Sequence, residues 1–217
     1  MSASPRIFFD LDGPILDVAE RHHRVYADSV RDLGGMPVAR ETFWAMKRER
    51  TPEAVILRQS GLDDASGPAF QDLKLRRIES ADYLGLDVLQ PGVPFVLERL
   101  RESHRLILVT LRTSRALLDR QLATLELASL FSLVLSGRES EREGWRIKSD
   151  LIRDAFPSCA PADWIVGDTE TDVLAGQHLG IRTVAVCNGI RSEALLRALA
   201  PSRVLSSTAD LLEAICV

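Results

Sequence analysis

The sequence predicts an α/β fold: a parallel sheet with helices on both faces, and an all-helical block inserted after the first strand. Three observations predict it. Short apolar runs of strand length recur at 7–9, 106–109, 133–135, 164–166 and 183–186. Helix-length stretches alternate with the later runs, and such alternation builds parallel sheets. Between about 17 and 88 only helical patterning occurs, so the first strand stands apart from the others. The 217 residues accommodate one α/β domain with a sizeable insertion. The expected division is a core of residues 1–16 and 89–217 and a helical domain of residues 17–88.

Ile7 to Phe9 is the first strand and runs into Asp10-Leu11-Asp12-Gly13. Unpaired carboxylates are costly inside a buried strand. They belong at its C-terminal tip, where open α/β sheets bind ligands, and Gly13 lets the chain turn away. Pro14 to Asp17 reads as a link. Residues 18–33 are helical, with Val18, Val25, Ala27, Val30 and Leu33 on the apolar face and Glu20, Arg21, Arg24, Asp28 and Arg31 off it. Gly34-Gly35-Met36-Pro37 stops this helix. Another covers 42–50. Thr51 is expected to cap the next, with Pro52 at its first position. Residues 70–84 close the block as one helix, and Trp44 and Tyr83 are expected in its core.

Pro91-Gly92-Val93-Pro94 opens a helix that leads to the second strand, Leu106 to Val109, which ends at Thr110. A helix over 114–127 precedes the third strand, Leu133 to Leu135. The helix 147–156 carries Lys148. The fourth strand, Trp164 to Val166, ends in Gly167-Asp168-Thr169, and a helix follows from Asp172 to Leu179. A fifth strand at 183–186, a helix near 192–199, a short strand at 203–205 and a helix near 208–215 complete the chain.

At 46% hydrophobic and 27% charged residues, the composition is that of a globular protein with an ample core. A net charge of -4 excludes the electrostatic footprint of nucleic-acid or anionic-membrane binding. Cys159, Cys187 and Cys216 are far apart and lack metal-ligand spacing, so a reduced, cytoplasmic chain is expected. No apolar run reaches membrane-spanning length, and the N-terminal one is too short for a signal peptide.

Parallel strands put their tips on one edge, so Asp10, Asp12, Thr110, Lys148, Asp168 and Asp172 are expected to converge. Two like charges 4 Å apart repel by about 4 kcal/mol at an effective dielectric of 20, and crowded carboxylates partly protonate in response. A hard divalent cation resolves this, and Mg²⁺ suits a few carboxylates plus a substrate phosphate. Thr110 and Lys148 are then left for an anion, and a phosphate ester is the inferred substrate.

Asp10-Leu11-Asp12-Gly13, Thr110 after its strand, Lys148, and Gly167-Asp168-Thr169-Glu170-Thr171-Asp172 resemble the four motifs of the haloacid dehalogenase superfamily. The likeness covers essentially the whole chain. The helical block resembles the cap of the branch that holds phosphoglycolate phosphatases and β-phosphoglucomutases. The resemblance implies a Rossmann-like core with a cap domain and a magnesium-dependent phosphatase acting on a small phosphorylated metabolite. Asp10 would be the nucleophile that forms an aspartyl-phosphate. Asp12 would protonate the leaving alcohol and then deprotonate water, which requires an environment that raises its pKa. Lys148 would neutralise phosphoryl charge. Asp168 would bind Mg²⁺ with Asp10 and the Asp12 carbonyl, supported by Asp172. The phosphate side is expected at Gly13, Thr110, the backbone amide of Leu111, and Arg112.

Motif two departs from the usual Thr-Asn or Ser-Asn by reading Thr110-Leu111-Arg112, and Ser149 replaces the frequent Pro after Lys148. In the cap, His22 stands where β-phosphoglucomutases carry a hinge histidine. Lys47 and Arg50 could reach an acidic substrate, although charge runs are usually solvated faces. A phosphomutase and a non-catalytic phosphate-ligand-binding protein on the same fold are the alternatives. The sequence does not fix the oligomeric state.

Overall fold

The computed structural model describes residues 4–137 and 142–215. They separate into two compact units, Met1–Asp17 with Leu89–Val217, and Val18–Val88. Among the described residues eight strands occur: β1 (Arg6–Phe9), β2 (Leu16–Asp17), β3 (Val88–Leu89), β4 (Arg105–Thr110), β5 (Leu133–Ser136), β6 (Trp164–Gly167), β7 (Arg182–Val186) and β8 (Arg203–Leu205).

Six of them form one sheet in the order β5-β4-β1-β6-β7-β8, and every neighbouring pair is parallel. β1 is central, and Ile7, Phe8 and Phe9 are fully buried, as a strand covered on both faces must be. On one face Phe8, Ile107, Val109 and Ile165 pack with Ile152 and Ala175 of the helices Gly144–Ala155 and Glu170–Leu179. After β1 the chain builds β4 and β5 outward on one side, then returns to lay β6, β7 and β8 on the other. The strand order therefore reverses between β1 and β6. Such a switch point leaves a crevice at the C-terminal strand ends, where α/β sheets place their ligands.

The second unit is built from the helices Ala19–Asp32, Arg40–Arg48, Glu53–Gln59, Gly67–Ile78 and Ala81–Leu84. Tyr26, Val30, Phe43, Ile56, Leu57, Leu62 and Phe70 make its core, with the Tyr26 and Phe43 rings stacked at 4.4 Å. Trp44 and Tyr83, expected in that core, are only half-buried, and Tyr83 Oη donates to Asp28 Oδ2 at 3.0 Å. Phe43, one position earlier, takes the inward place because Tyr26 offers a flat partner.

Arg21 was expected on the polar face of its helix. It is instead among the most buried side chains of the chain. Its Nε lies 2.8 Å from Asp87 Oδ1, and its Nη1 donates to the Ile78 carbonyl at 3.0 Å. Helical periodicity cannot register a partner that arrives from the far end of the unit.

Three smaller expectations also change. Pro52 is the cap, with ψ 135°, and its carbonyl accepts the Val55 N–H, so the helix starts at Glu53 rather than Pro52. The stretch 70–84 is not one helix, because Ser80 turns extended and a new helix starts at Ala81. The link 14–17 contains β2, which pairs with β3 as a two-stranded ribbon.

Candidate active site

The switch point fixes the acids. β1 and β6 are paired in parallel register, with Phe9 opposite Val166, so Asp10 and Asp168 emerge side by side from the same sheet edge. The Asp10 N–H still donates to the Val166 carbonyl at 2.9 Å, which ties the first acid to the tip of β6. Asp172 comes from the first turn of the helix Glu170–Leu179. Carboxylate oxygens of Asp10, Asp168 and Asp172 lie within 4.8 Å of one another.

Lys148, near the start of the helix Gly144–Ala155, neutralises part of this charge. Its buried Nζ lies 2.8 Å from Asp10 Oδ1 and 2.5 Å from Asp172 Oδ1. Asp172 Oδ2 accepts the N–H and hydroxyl of Thr169, at 3.2 and 2.9 Å, in a capping box. One side chain thus fixes both the helix start and the ammonium. Asp10 Oδ1 also accepts the Leu11 N–H at 2.9 Å.

Asp168 is fully buried. Its Oδ2 accepts the Ile190 N–H at 2.5 Å, while its Oδ1 has no hydrogen-bond partner among the described residues. Three glycines make room for these acids. A Cβ on Gly13 (φ 104°) or on Gly189 would fall 2.0 Å from Asp168 Oδ2, and one on Gly167 would fall 2.0 Å from Asp172 Cγ.

The charges respond to the crowding. Burial lifts the Asp10 carboxyl to about 7; Lys148 pulls it down and the Asp172 charge pushes it up. Burial, then the Asp172 and Asp10 charges, raises Asp168 well above the ordinary carboxylate range. Burial alone would lower Lys148, but the Asp10 and Asp172 charges overcome it and hold the ammonium protonated. Clustered acids, an orphaned buried carboxylate oxygen and all-oxygen donors fit a hard divalent cation.

Asp12 does not join this acidic group. The resemblance asks for surroundings that favour its protonated form, yet the structure sets the Arg112 guanidinium on it. Nη2 of Arg112 bonds Asp12 Oδ1, Nε reaches Oδ2 at 3.4 Å, and Nη1 bonds Gln121 Oε1. Thr110 is buried at the tip of β4, and its hydroxyl accepts the Arg112 N–H at 3.4 Å. Leu111 lies half-buried between them.

His22, Lys47 and Arg50 lie in the helical unit. His22 is half-buried with its ring 6.3 Å from that of Trp44, Lys47 lies in the last turn of the helix Arg40–Arg48, and Arg50 has a positive φ of 56°. Cys159 is a free thiol, Cys187 directly follows β7, and Cys216 lies outside the described residues. Among the described residues no helix is long and apolar enough to cross a membrane.

Two site residues carry no signal in the motifs. Gly189 follows β7 in an Asn-Gly pair, the kind of turn dipeptide that marks a strand-tip loop. Gln90 is buried, and its Nε2 donates to the Gly13 carbonyl at 2.9 Å and the Asn188 carbonyl at 3.1 Å. It thereby joins the two loops whose glycines flank Asp168.

The family model for haloacid dehalogenase-like hydrolases matches residues 7–186. A phosphoglycolate phosphatase of Synechococcus elongatus is 28% identical over 211 residues, 96% of each chain. One of Rhodobacter capsulatus is 26% identical over 197 residues, 88% of each. Among solved structures, a haloacid dehalogenase-like family hydrolase of Streptococcus pneumoniae matches with a TM-score of 0.77 at 22% identity, over 99% of both chains. The HAD-hydrolase YfnB of Bacillus subtilis, solved bound to magnesium, matches with a TM-score of 0.67 at 14% identity over both whole chains. At these identities the two structures speak for the fold.

Proposed function

The chain belongs to the haloacid dehalogenase-like hydrolase family, and from that premise we propose that it is a Mg²⁺-dependent phosphatase that hydrolyses a small phosphorylated metabolite through an aspartyl-phosphate on Asp10. The observation that carries this reading is the buried Lys148 ammonium held between Asp10 and Asp172, beside an Asp168 oxygen that has no hydrogen-bond partner among the described residues. Curated relatives named phosphoglycolate phosphatase support a small, doubly anionic substrate.

Among the described residues the Leu11 N–H and the Lys148 ammonium both meet Asp10 at Oδ1, so Oδ2 is the oxygen for attack on phosphorus. Lys148 then offsets negative charge on the phosphoryl group as it transfers, and Thr110 and the Leu111 N–H bind its oxygens. Asp12 gives a proton to the leaving alcohol and takes one from the water that later cleaves the aspartyl-phosphate. Asp10 and Asp168, with the Asp12 carbonyl, would hold Mg²⁺, which supplies neutralising charge to the transferring oxygens. Asp172 keeps Lys148 and the helix start in place. The unit Val18–Val88 is the cap, and His22, Lys47 and Arg50 are its candidates for substrate contact.

Phosphate release from phosphoglycolate, sugar phosphates and nucleotides, with and without Mg²⁺, tests the proposal. Mg²⁺-dependent release that disappears in Asp10→Asn is expected. Unchanged turnover in that variant or in EDTA would overturn the nucleophile or the metal assignment, respectively. Conversion of one sugar phosphate into its isomer without net release would mark a phosphomutase.

A further inference from the structure

Asp168 is oriented by a loop that is itself tied down at both ends. β6 and β7 are paired in parallel, so the segments after their tips leave the sheet side by side. At the far end of the second segment the Arg191 guanidinium forks onto Glu170. Its Nε lies 2.8 Å from Oε2 and its Nη2 lies 3.1 Å from Oε1. The two side chains are only 16% and 22% exposed, so the pair is largely shielded from the water that makes surface ion pairs weak. At the near end the Asn188 carbonyl accepts Gln90 Nε2 at 3.1 Å. Between these anchors Gly189 passes Asp168 Oδ2 too closely for a Cβ, and the Ile190 N–H donates to that oxygen at 2.5 Å. Asp168 Oδ1 has no hydrogen-bond partner among the described residues. The fork and the Ile190 hydrogen bond close one ring, through Asp168, Thr169 and Glu170 on one side and Ile190 and Arg191 on the other. Two parallel N–H···O bonds fix plane as well as position, which a single ammonium cannot do.

We infer that Arg191 is a positioning residue: its fork on Glu170 holds the loop 188–191 against Asp168, so that the Ile190 N–H occupies Oδ2 and Oδ1 is the oxygen left for Mg²⁺. The inference rests on the Mg²⁺ site of the reading above. Neither Arg191 nor Glu170 needs to touch metal or substrate. A carboxylate with one oxygen already bound presents the other in a fixed direction, and outer partners of this kind are worth about 10–100-fold in metal affinity. Position and charge predict opposite effects here. Acting through its field alone, a guanidinium opposes a nearby cation, and its removal would tighten Mg²⁺ binding. Acting by holding the loop, its removal loosens Mg²⁺ binding.

The test titrates Mg²⁺ alone into the full-length chain by calorimetry, with Tm measured beside it in EDTA. Arg191→Met should weaken Mg²⁺ binding about 10–100-fold. Arg191→Lys keeps the charge and loses the fork, and its affinity should fall between that of Arg191→Met and wild type. An affinity in Arg191→Met equal to or tighter than wild type would overturn the inference. So would a fall in Tm with affinity kept, the pattern of a merely structural pair. Gln90→Met frees the other end of the loop with no change of charge, and it decides on the same terms if the Arg191 variants do not fold. A wild-type chain that takes up no Mg²⁺ would instead overturn the metal assignment. The fork is then read from the Ile190 amide of the metal-free protein, whose hydrogen exchange should be faster in Arg191→Met than in wild type. Equal protection of that amide would show that the fork does not hold the loop.

Discussion

Gly189 lies so close to Asp168 that a single methyl group on it would stand 2.0 Å from the Asp168 Oδ2 atom. That oxygen is held by the Ile190 N–H, so the acid cannot swing aside without losing the bond that orients it. Gly189→Ala is therefore expected to weaken Mg²⁺ binding about 10–100-fold, the range seen when support around a metal ligand is disturbed. Calorimetric titration checks this. Wild-type affinity in a folded variant would show that the Gly189 contact is irrelevant to the site.

The raised carboxyls set a pH dependence. Asp10 moves from 3.8 to about 7, and Asp168 moves in the same direction. A raised acid contributes stability that is complete below its unfolded value and is lost as pH rises through its folded value. Metal-free protein should thus lose stability from these groups between about pH 4 and pH 7. Mg²⁺ must displace the bound protons, so it should raise Tm more at about pH 8 than at about pH 5.5. Thermal melts at both values, with EDTA and with Mg²⁺, check the sign; a larger metal effect at the acid value would reverse it.

Lys148 bridges two acids, and its removal separates metal binding from chemistry. Lys148→Met leaves Asp10, Asp168 and Asp172 without the ammonium. The site becomes more negative, so Mg²⁺ affinity should be kept or rise. Turnover should fall about 10²–10³-fold or more, as when a charge-stabilising donor is lost. Parallel measurement of kcat and of the metal dissociation constant decides between this and a purely structural lysine, which would weaken both.

The Arg21–Asp87 pair is the corresponding commitment of the helical unit, with side-chain exposures of 1% and 0%. Asp87→Ala removes the carboxylate that balances a buried guanidinium and should cost about 3–5 kcal/mol. Urea unfolding measures it. A loss below about 1 kcal/mol, the range of surface pairs, would mean that the pair is solvated in solution.

The catalytic candidates were legible because each is announced locally. An apolar run that stops at an acid is a strand tip, and that reading gave Asp10 and Asp168 their places. The helix holding Lys148 was legible too, although it begins at Gly144 rather than Ile147. Arg21 was misread for a reason of the same kind in reverse: its own helix says polar, and only Asp87 makes it a core residue.

The sequence by itself determined the six strands of the sheet and the helices between them, the all-helical insertion and the identity of the residues at the strand tips, because periodicity and turn residues act over a few positions. Tertiary structure alone decided that Arg112 grips Asp12, that Lys148 joins Asp10 to Asp172, and that Gln90 and Gly189 shape the space around Asp168. These pairings depend on which strand lies beside which. The placement of β6 against β1 brings together charges that lie far apart along the chain, and burial there forces each to find its partner.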